Sequence, residues 1–319
     1  MATCASRRDF LEASAGLALA ARTTAASLAA AFAAGPSLAA DDEAEYKPRS
    51  GQYGKDVIWI PTPDPLVTRM LQLAQVGAAD SVVDLGSGDG KIVIAAVREF
   101  GARARGIEYN EKMVELSRHG AEKAGLADRA TFEQGDLFAA DFSSADVVTM
   151  YLMPHLNLRL RHTLLAMKPG TRVVSHEFRM GDWEPEESSR IGARSMHLWV
   201  VPANAGGDWK TRLQQSRGPI DTTMTIRQRF QVLEGRVALA DVQTTMRNAR
   251  VLGDQIHFAF TDGEGELRTV DARIEPDRMI GAVSTKGGDV APFVAERVGD
   301  TPPIEGSAPM TPDEVRSGS

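Results

Sequence analysis

Residues 82–90 read V-V-D-L-G-S-G-D-G, and no other stretch limits the fold of this chain so tightly. Val82 and Val83 suit a strand buried in a parallel sheet, and Asp84 closes it. Glycines at 86, 88 and 90 then make a turn through backbone angles that side chains avoid. Residues 91–100, K-I-V-I-A-A-V-R-E-F, continue as a helix. Strand, glycine turn and helix together form a nucleotide cradle. The glycines let a ligand approach the backbone, and the first turn of the helix offers unpaired amides.

The spacing narrows the ligand. A dinucleotide fold shows G-x-G-x-x-G, whereas here the pattern is G-x-G-x-G with Asp84 before it. A second anchor lies in residues 101–110, G-A-R-A-R-G-I-E-Y-N, where Glu108 follows an apolar residue at the end of a second strand. A carboxylate about 20 residues beyond the turn can accept from both ribose hydroxyls; the alternative is a solvated strand end. Residues 131–137, T-F-E-Q-G-D-L, place Asp136 at the end of a third short strand, where an ordinary turn aspartate is the other reading.

These three matches resemble the class I S-adenosylmethionine-dependent methyltransferases. The resemblance implies that Asp84 and the turn Gly86, Ser87, Gly88 and Gly90 hold the methionine end of S-adenosylmethionine. It places Tyr109 beside the adenine, and Asp136 with Leu137 at the adenine amino group. It covers about residues 56–183. Within it, W-I-P-T-P (59–63) and K-P-G-T-R-V-V-S-H-E-F (168–178) are similar to the lysine methyltransferases of the ATP-synthase c-subunit type, which implies that Thr62 touches the cofactor from the lid side. The Asn/Asp-Pro-Pro-Tyr tetrad of many amino-group methyltransferases is absent; M-Y-L-M-P-H (150–155) stands in its place.

Regular strand–helix alternation predicts an α/β fold, a doubly wound, mostly parallel Rossmann-like sheet over residues 56–202. Its expected strands are 82–85, 104–108, 131–134, 147–151 and 172–178, with an antiparallel edge strand at 196–201. Helices are expected at 91–100, 111–124 and 156–167, the second capped by Asn110. Prolines 61, 63 and 65 keep the preceding segment extended, and Asp64 reads as the N-cap of a first helix with Pro65 at its first position. Leu66, Val67, Met70, Leu71 and Ala74 share one face of that helix. Residues 203–207 read as a linker. Beyond them, alternation at Met224, Ile226, Phe230 and Val232, at Ile256, Phe258 and Phe260, and at Val270, Ala272 and Ile274 predicts a small all-β antiparallel domain over 208–298. Gln228 is the polar exception in the first run, and residues 299–319 read as a loose tail.

The first forty residues read as a leader. S-R-R-D-F-L (6–11) resembles a twin-arginine export motif, followed by an alanine-rich stretch that Arg22 makes a poor membrane span. Small residues at 37 and 39 suit cleavage near Ala39 or Ala40, and residues 41–55 are polar and irregular. This predicts a periplasmic or exported protein that engages the twin-arginine machinery and keeps no transmembrane span, or a cytoplasmic one if the leader is silent. The only cysteine, Cys4, precedes the motif, so the processed chain has no disulfide and no thiolate chemistry. A net charge of −7 argues against general nucleic-acid binding. The histidines show no close-spaced metal-ligand set, and no metal is expected.

The expected reaction is methyl transfer to an amine, either a protein lysine or a small molecule, by in-line displacement. An apolar aromatic pocket favours the neutral amine, so no dedicated base is required. Tyr151, His155, Glu177 and Trp183 are the acceptor-side candidates. Tyr151 either contacts the acceptor nitrogen, lines the pocket or packs; His155 either takes a proton or starts a helix. Glu177 is otherwise a strand end, and Trp183 a core anchor. Two other functions compete: a catalytically silent binding protein of the cell envelope acting through its β domain, and a nicotinamide-dependent oxidoreductase, which the glycine spacing disfavours.

Overall fold

A computed structural model describes residues 46–317 except positions 57, 217 and 241. The leader and the beginning of the irregular segment therefore lie outside the described residues. From Tyr46 onward the chain forms one compact unit built of two sheets.

The first sheet holds β1 (Ser81–Leu85), β2 (Arg103–Glu108), β3 (Ala130–Gln134), β4 (Val147–Met150), β5 (Arg172–His176), β6 (Glu187–Ile191) and β7 (Arg194–Val200). Their spatial order is β3-β2-β1-β4-β5-β7-β6. The first five pair in parallel, and β7 runs antiparallel to β5. Four helices cover its faces: α1 (Asp64–Leu73), α2 (Lys91–Phe100), α3 (Glu111–Lys123) and α4 (Pro154–Leu165). One apolar core lies under α1, α2 and α3, with Leu66, Met70, Val93 and Val114 among its members; a second, with Leu85, Leu160, Trp183 and Trp199, lies under α4. Strand order reverses between β1 and β4, which opens a crevice at the carboxyl ends of the strands.

Two details correct the sequence reading of this sheet. The antiparallel strand β7 is internal, because β6 lies outside it. Residues 187–191, E-S-S-R-I, are polar and largely exposed, so they carry no apolar period to announce a strand. Asp64 is the first residue of α1 rather than its cap; Pro63 holds the cap position. The Asp64 carboxylate pairs with Lys91 Nζ at 2.7 Å instead of turning back to the helix amides. Asn110 does cap α3, accepting from the amides of Lys112 and Met113 at 3.0 and 3.4 Å.

The second sheet comprises β8 (Gly207–Gln215), β9 (Gly218–Arg229), β10 (Val232–Leu239), β11 (Val242–Thr245), β12 (Arg247–Leu252), β13 (Gln255–Thr261), β14 (Leu267–Ile274), β15 (Arg278–Thr285) and β16 (Val290–Val298). Neighbours run antiparallel, and β9 pairs back onto β10, so eight strands close a barrel with β11 appended to β10. A barrel of this size is just filled by its own side chains. Trp209, Phe258, Phe260, Phe293 and Met279 fill it, pointing inward on alternate positions.

Gln228 faces inward at its alternate position and meets the backbone of the linker: its Oε1 accepts from Ala205 N at 2.6 Å, and its Nε2 donates to the carbonyls of Ala203 and Phe230 at 2.9 and 2.8 Å. The expected alternation fails just after it. Phe230 adopts φ +51° in the β9–β10 turn and leaves the barrel to stack on Trp183 at 5.9 Å, in the core under α4. Val232 consequently points outward. The segment expected to be a loose tail docks over its described length. Glu305 N donates to Gln228 O at 2.9 Å, Ile304 is buried, and a short helix, α5 (Pro312–Ser317), lies against α4.

Among the described residues no helix is long and apolar enough to cross a membrane.

Candidate active site

One cleft opens at the switch point between β1 and β4, roughly 1330 Å³ with its open mouth included. Thr62, Asp84, Gly86 and Ser87 line it from one side, and Glu108, Tyr109, Asp136 and Leu137 from the other. Tyr151 and Phe178 wall its far end. Nine sequence-predicted residues thus meet along one surface.

Parallel pairing sets Asp84 beside Thr149 on β4, whose hydroxyl donates to Asp84 Oδ1 at 2.7 Å. The carboxyl is buried, and burial pushes its pKa up to about 7, with Asp89 and Glu108 adding to the shift and Thr149 opposing it. Glu108 receives Gly88 N–H on one oxygen at 3.0 Å and Asn110 N–H on the other at 2.9 Å. One carboxylate therefore ties the glycine turn to the start of α3, and each oxygen keeps a further lone pair for a ligand hydroxyl.

Gly88 and Gly90 do not line the cleft; they shape its floor. Gly88 has φ +55°, and a Cβ there would fall 2.4 Å from Trp59 Nε1, so the indole lies directly on the turn. Gly90, at φ +74°, caps α2 in the left-handed region, and its absent side chain leaves room for Phe132 and Ser117. Ser117 Oγ donates to Gly88 O at 2.9 Å and secures the loop from α3.

The roof is the segment before α1. It folds back on itself through Trp59 N–H to Gln52 O at 2.8 Å and Gly51 N–H to Trp59 O at 2.8 Å. Lys55 in its bend pairs with Asp136 Oδ2 at 2.7 Å and lies 4.9 Å from the centre of the Tyr109 ring. The Lys55 ammonium holds Asp136 below the usual carboxylate range, and Phe138 N–H supports this at 3.0 Å on the other oxygen. Farther along, Lys91 Nζ reaches Thr62 O at 3.3 Å as well as Asp64. Thr62 is pinned a second time through its hydroxyl, 3.2 Å from His176 Nδ1.

His176 ends β5. Its ring lies 3.8 Å from that of Tyr151, and its Nε2 is buried without a partner. Burial pushes its pKa down to about 4; nearby Arg194 acts in the same direction and Glu177 against it. Phe178 is placed by Asn157 of α4, whose Nδ2 donates to Phe178 O at 3.2 Å.

The remaining acceptor-side candidates lie elsewhere. His155 is the second residue of α4 and does not line the cleft, so the helix-start reading fits it and a general-base role has no geometric basis. Glu177 adopts φ +67° and uses its carboxylate on Ser195 N at 3.2 Å, turning the chain at the end of β5. Trp183 is a core residue stacked on Phe230 and tilted against Trp199, and its carbonyl accepts from Trp199 Nε1 at 2.7 Å. The sequence reading had not singled out Lys55, Trp59, Lys91 or His176 as site residues. Lys91 directly follows the glycine turn, His176 stands inside K-P-G-T-R-V-V-S-H-E-F, and Trp59 opens W-I-P-T-P. No local pattern distinguishes Lys55.

A cationic ligand suits this surface. Asp84, Asp89, Glu108 and Asp136 face the cleft, whereas its two lysines are paired with Asp136 and Asp64. Gly86 and Ser87 line the cleft, and the buried Ser87 Oγ, which has no partner, lies in the room left by the missing side chain of Gly106. S-adenosylmethionine, with a sulfonium, an ammonium and one carboxylate, fits such a donor and acceptor set. Among the described residues no group of His, Cys, Asp and Glu could hold a metal ion.

Comparison with known proteins decides the assignment. The family model of the ANTKMT methyltransferase domain matches residues 84–187. The protein-lysine N-methyltransferase of Saccharolobus islandicus is 41% identical over 155 residues, which is 96% of that protein and 47% of this chain. The chain belongs to this methyltransferase family. The mouse lysine N-methyltransferase of the ATP-synthase c-subunit is 34% identical over 126 residues, 39% of this chain and 51% of the mouse protein. The mouse adenine nucleotide translocase lysine N-methyltransferase is 36% identical over 133 residues, 41% of this chain and 57% of that protein. The chain thus spans about half the length of these mouse relatives. Among solved structures, an RNA methyltransferase from Salinibacter ruber bound to S-adenosyl-L-homocysteine is 49% identical, covering 45% of this chain and 94% of that one with a TM-score of 0.44.

The protein is an S-adenosylmethionine-dependent methyltransferase. The silent-binding alternative finds no support in these likenesses, and nothing favours a nicotinamide enzyme. The matched family model ends at residue 187, before the barrel begins.

Proposed function

We propose that this methyltransferase modifies the ε-amino group of lysine in a polypeptide. The observation that carries this reading is the 41% identity across 96% of an archaeal protein-lysine N-methyltransferase, supported by the two mouse lysine methyltransferases. The cleft agrees with it. Its mouth is bordered by the exposed apolar side chains Tyr53, Ile58, Ile60 and Met153, a surface suited to a chain of residues rather than a small hydrophilic amine.

The proposed roles follow the geometry. Asp84, Ser87 and the glycine turn bind the methionine end, Glu108 the ribose, and Tyr109, Asp136 and Leu137 the adenine. S-adenosylmethionine supplies an activated methyl group on a positively charged sulfur. The nitrogen–carbon bond forms as the carbon–sulfur bond breaks, the sulfur keeps the electron pair, and S-adenosylhomocysteine departs. Tyr151 and Phe178 wall the acceptor end, where they exclude water and disfavour the ammonium form of lysine. The lysine proton leaves to solvent before transfer, so no side chain need act as base. Holding nitrogen and methyl carbon near van der Waals contact, about 3–3.5 Å apart, supplies the acceleration.

The test is transfer of labelled methyl from S-adenosylmethionine to a cell extract by the full-length protein. Label should enter protein, appear on lysine by peptide mass spectrometry, and vanish when extract lysines are first blocked by acetylation, which removes the nucleophilic lone pair. Label that persists on blocked protein, or that resides in RNA, would refute the lysine assignment.

A further inference from the structure

His176 is a buried, neutral histidine with one nitrogen bonded and the other orphaned, and the transfer reaction does not call on it. Its geometry constrains its proton. A neutral imidazole carries one N–H, on Nδ1 or on Nε2. Nε2 is enclosed without a partner. A proton there would be a buried, unanswered donor, whereas a bare lone pair is the less costly vacancy. The N–H therefore belongs on Nδ1, aimed at the Thr62 hydroxyl 3.2 Å away. Thr62 Oγ1 is then the acceptor in that bond, and its own proton is free. The side chain is 6% exposed, and the cleft is the open space it lines. The Thr62 carbonyl is already held by Lys91, so hydroxyl and main chain are both fixed.

We propose that His176 is a positioning residue: as the Nδ1–H tautomer it orients the Thr62 hydroxyl to donate into the cofactor cleft, while its ring backs Tyr151 on the acceptor side. One residue at the end of β5 thereby joins the roof over the cofactor to the wall that receives the acceptor. The 3.8 Å ring contact with Tyr151 and the hydrogen bond to Thr62 use different parts of the same imidazole, so the two effects are separable. The inference rests on Thr62 facing S-adenosylmethionine, not on the identity of the methyl acceptor.

The test is calorimetric titration of the full-length protein with S-adenosylmethionine and S-adenosylhomocysteine, in four forms besides wild type. H176F keeps an aromatic ring against Tyr151 and removes the bond to Thr62; T62V removes the hydroxyl. Each should weaken cofactor binding by about two- to tenfold, the size of one neutral hydrogen bond. The double variant should bind no worse than about twofold beyond the weaker single, because both substitutions delete one interaction. H176N places an amide nitrogen where Nδ1 stood and should restore most of the affinity while losing the ring. It should therefore lower kcat for methyl transfer with little change in the cofactor KM, whereas H176F should do the reverse. Nitrogen chemical shifts of the wild-type ring should show a protonated Nδ1 and a bare Nε2. The proposal is overturned if the shifts show the opposite tautomer, if H176F binds cofactor as wild type does, or if the two losses multiply in the double variant. Should H176F fail to fold, T62V, H176N and the nitrogen shifts still decide the matter.

Discussion

Replacing Asp84 by asparagine should stabilise the cofactor-free protein at neutral and alkaline pH while weakening cofactor binding. The side chain is 2% exposed, and its carboxyl is raised from an ordinary value of 3.8 to about 7. Between those two values the folded state binds more protons than the unfolded state, so stability falls as pH rises through the window. The full span is about 3 pH units, or about 4 kcal/mol, and it is expended above pH 7. Asparagine keeps the shape and the oxygen that accepts from Thr149, but it carries no charge to desolvate. Urea unfolding of the apo protein should therefore show wild type losing up to about 4 kcal/mol relative to D84N between pH 4 and pH 8, with the two converging at the acid end. Cofactor binding should reverse the order, because the cationic ligand favours the ionised carboxyl. Titrations near pH 7 in buffers of different ionisation enthalpy should detect proton release on binding to wild type and less on binding to D84N. Parallel stability curves for the two proteins across this range would refute the assignment of a strained, ionisable carboxyl at the base of the cleft.

Gly88→Ala should weaken cofactor binding at least tenfold and lower stability by about 1–3 kcal/mol, since it combines a left-handed backbone with a Cβ 2.4 Å from Trp59 Nε1. Calorimetry and thermal melting read the two effects, and a variant that binds normally would contradict the packing of Trp59 on the turn. Gln228→Ala should cost about 2–3 kcal/mol in urea unfolding, because it strands the Ala205 amide and two carbonyls inside the barrel; a change below about 0.5 kcal/mol would refute that role. Converting Arg7 and Arg8 together to lysine should retain the full-length precursor in the cytoplasmic fraction if residues 6–11 are a twin-arginine signal, and identical fractionation of both forms would refute the leader.

The first sheet was legible because its signals are local and redundant. Apolar runs in β1 and β4 ask for burial on both faces, and the glycine turn permits only one kind of junction with α2. That Asp84, Glu108 and Asp136 meet at one cleft followed, since all three stand where parallel strands end, and strand ends in such a sheet converge on the switch point. The acceptor side was less legible. Tyr151, just past the end of β4, lines the cleft; His155 and Trp183 belong to a helix start and a core, and nothing in their neighbours' identities separates those fates from a pocket. The contact of His176 was hidden because its partner Thr62 stands 114 positions away. Lys55 was hidden for the same reason, its partner Asp136 being 81 positions distant.

The barrel was legible as alternating strands, but its junction with the first sheet was not, because that depends on one broken alternation. By leaving the barrel at the β9–β10 turn, Phe230 joins Trp183 and Trp199 in the core under α4. Beside it, Asp182 receives Arg161 from α4 and Arg229 from β9, so a single carboxylate clamps the helix to the barrel. Arg161 is nearly buried and also donates to Met180 O at 3.2 Å, and losing the carboxylate would leave that guanidinium without its charge partner. The same helix carries Asn157, which fixes Phe178, and it begins one residue after Met153 at the mouth of the cleft. Helix α4 thus meets the barrel side through Arg161 and Asp182 and the cleft side through Asn157 and Phe178, although the matched family model stops before the barrel.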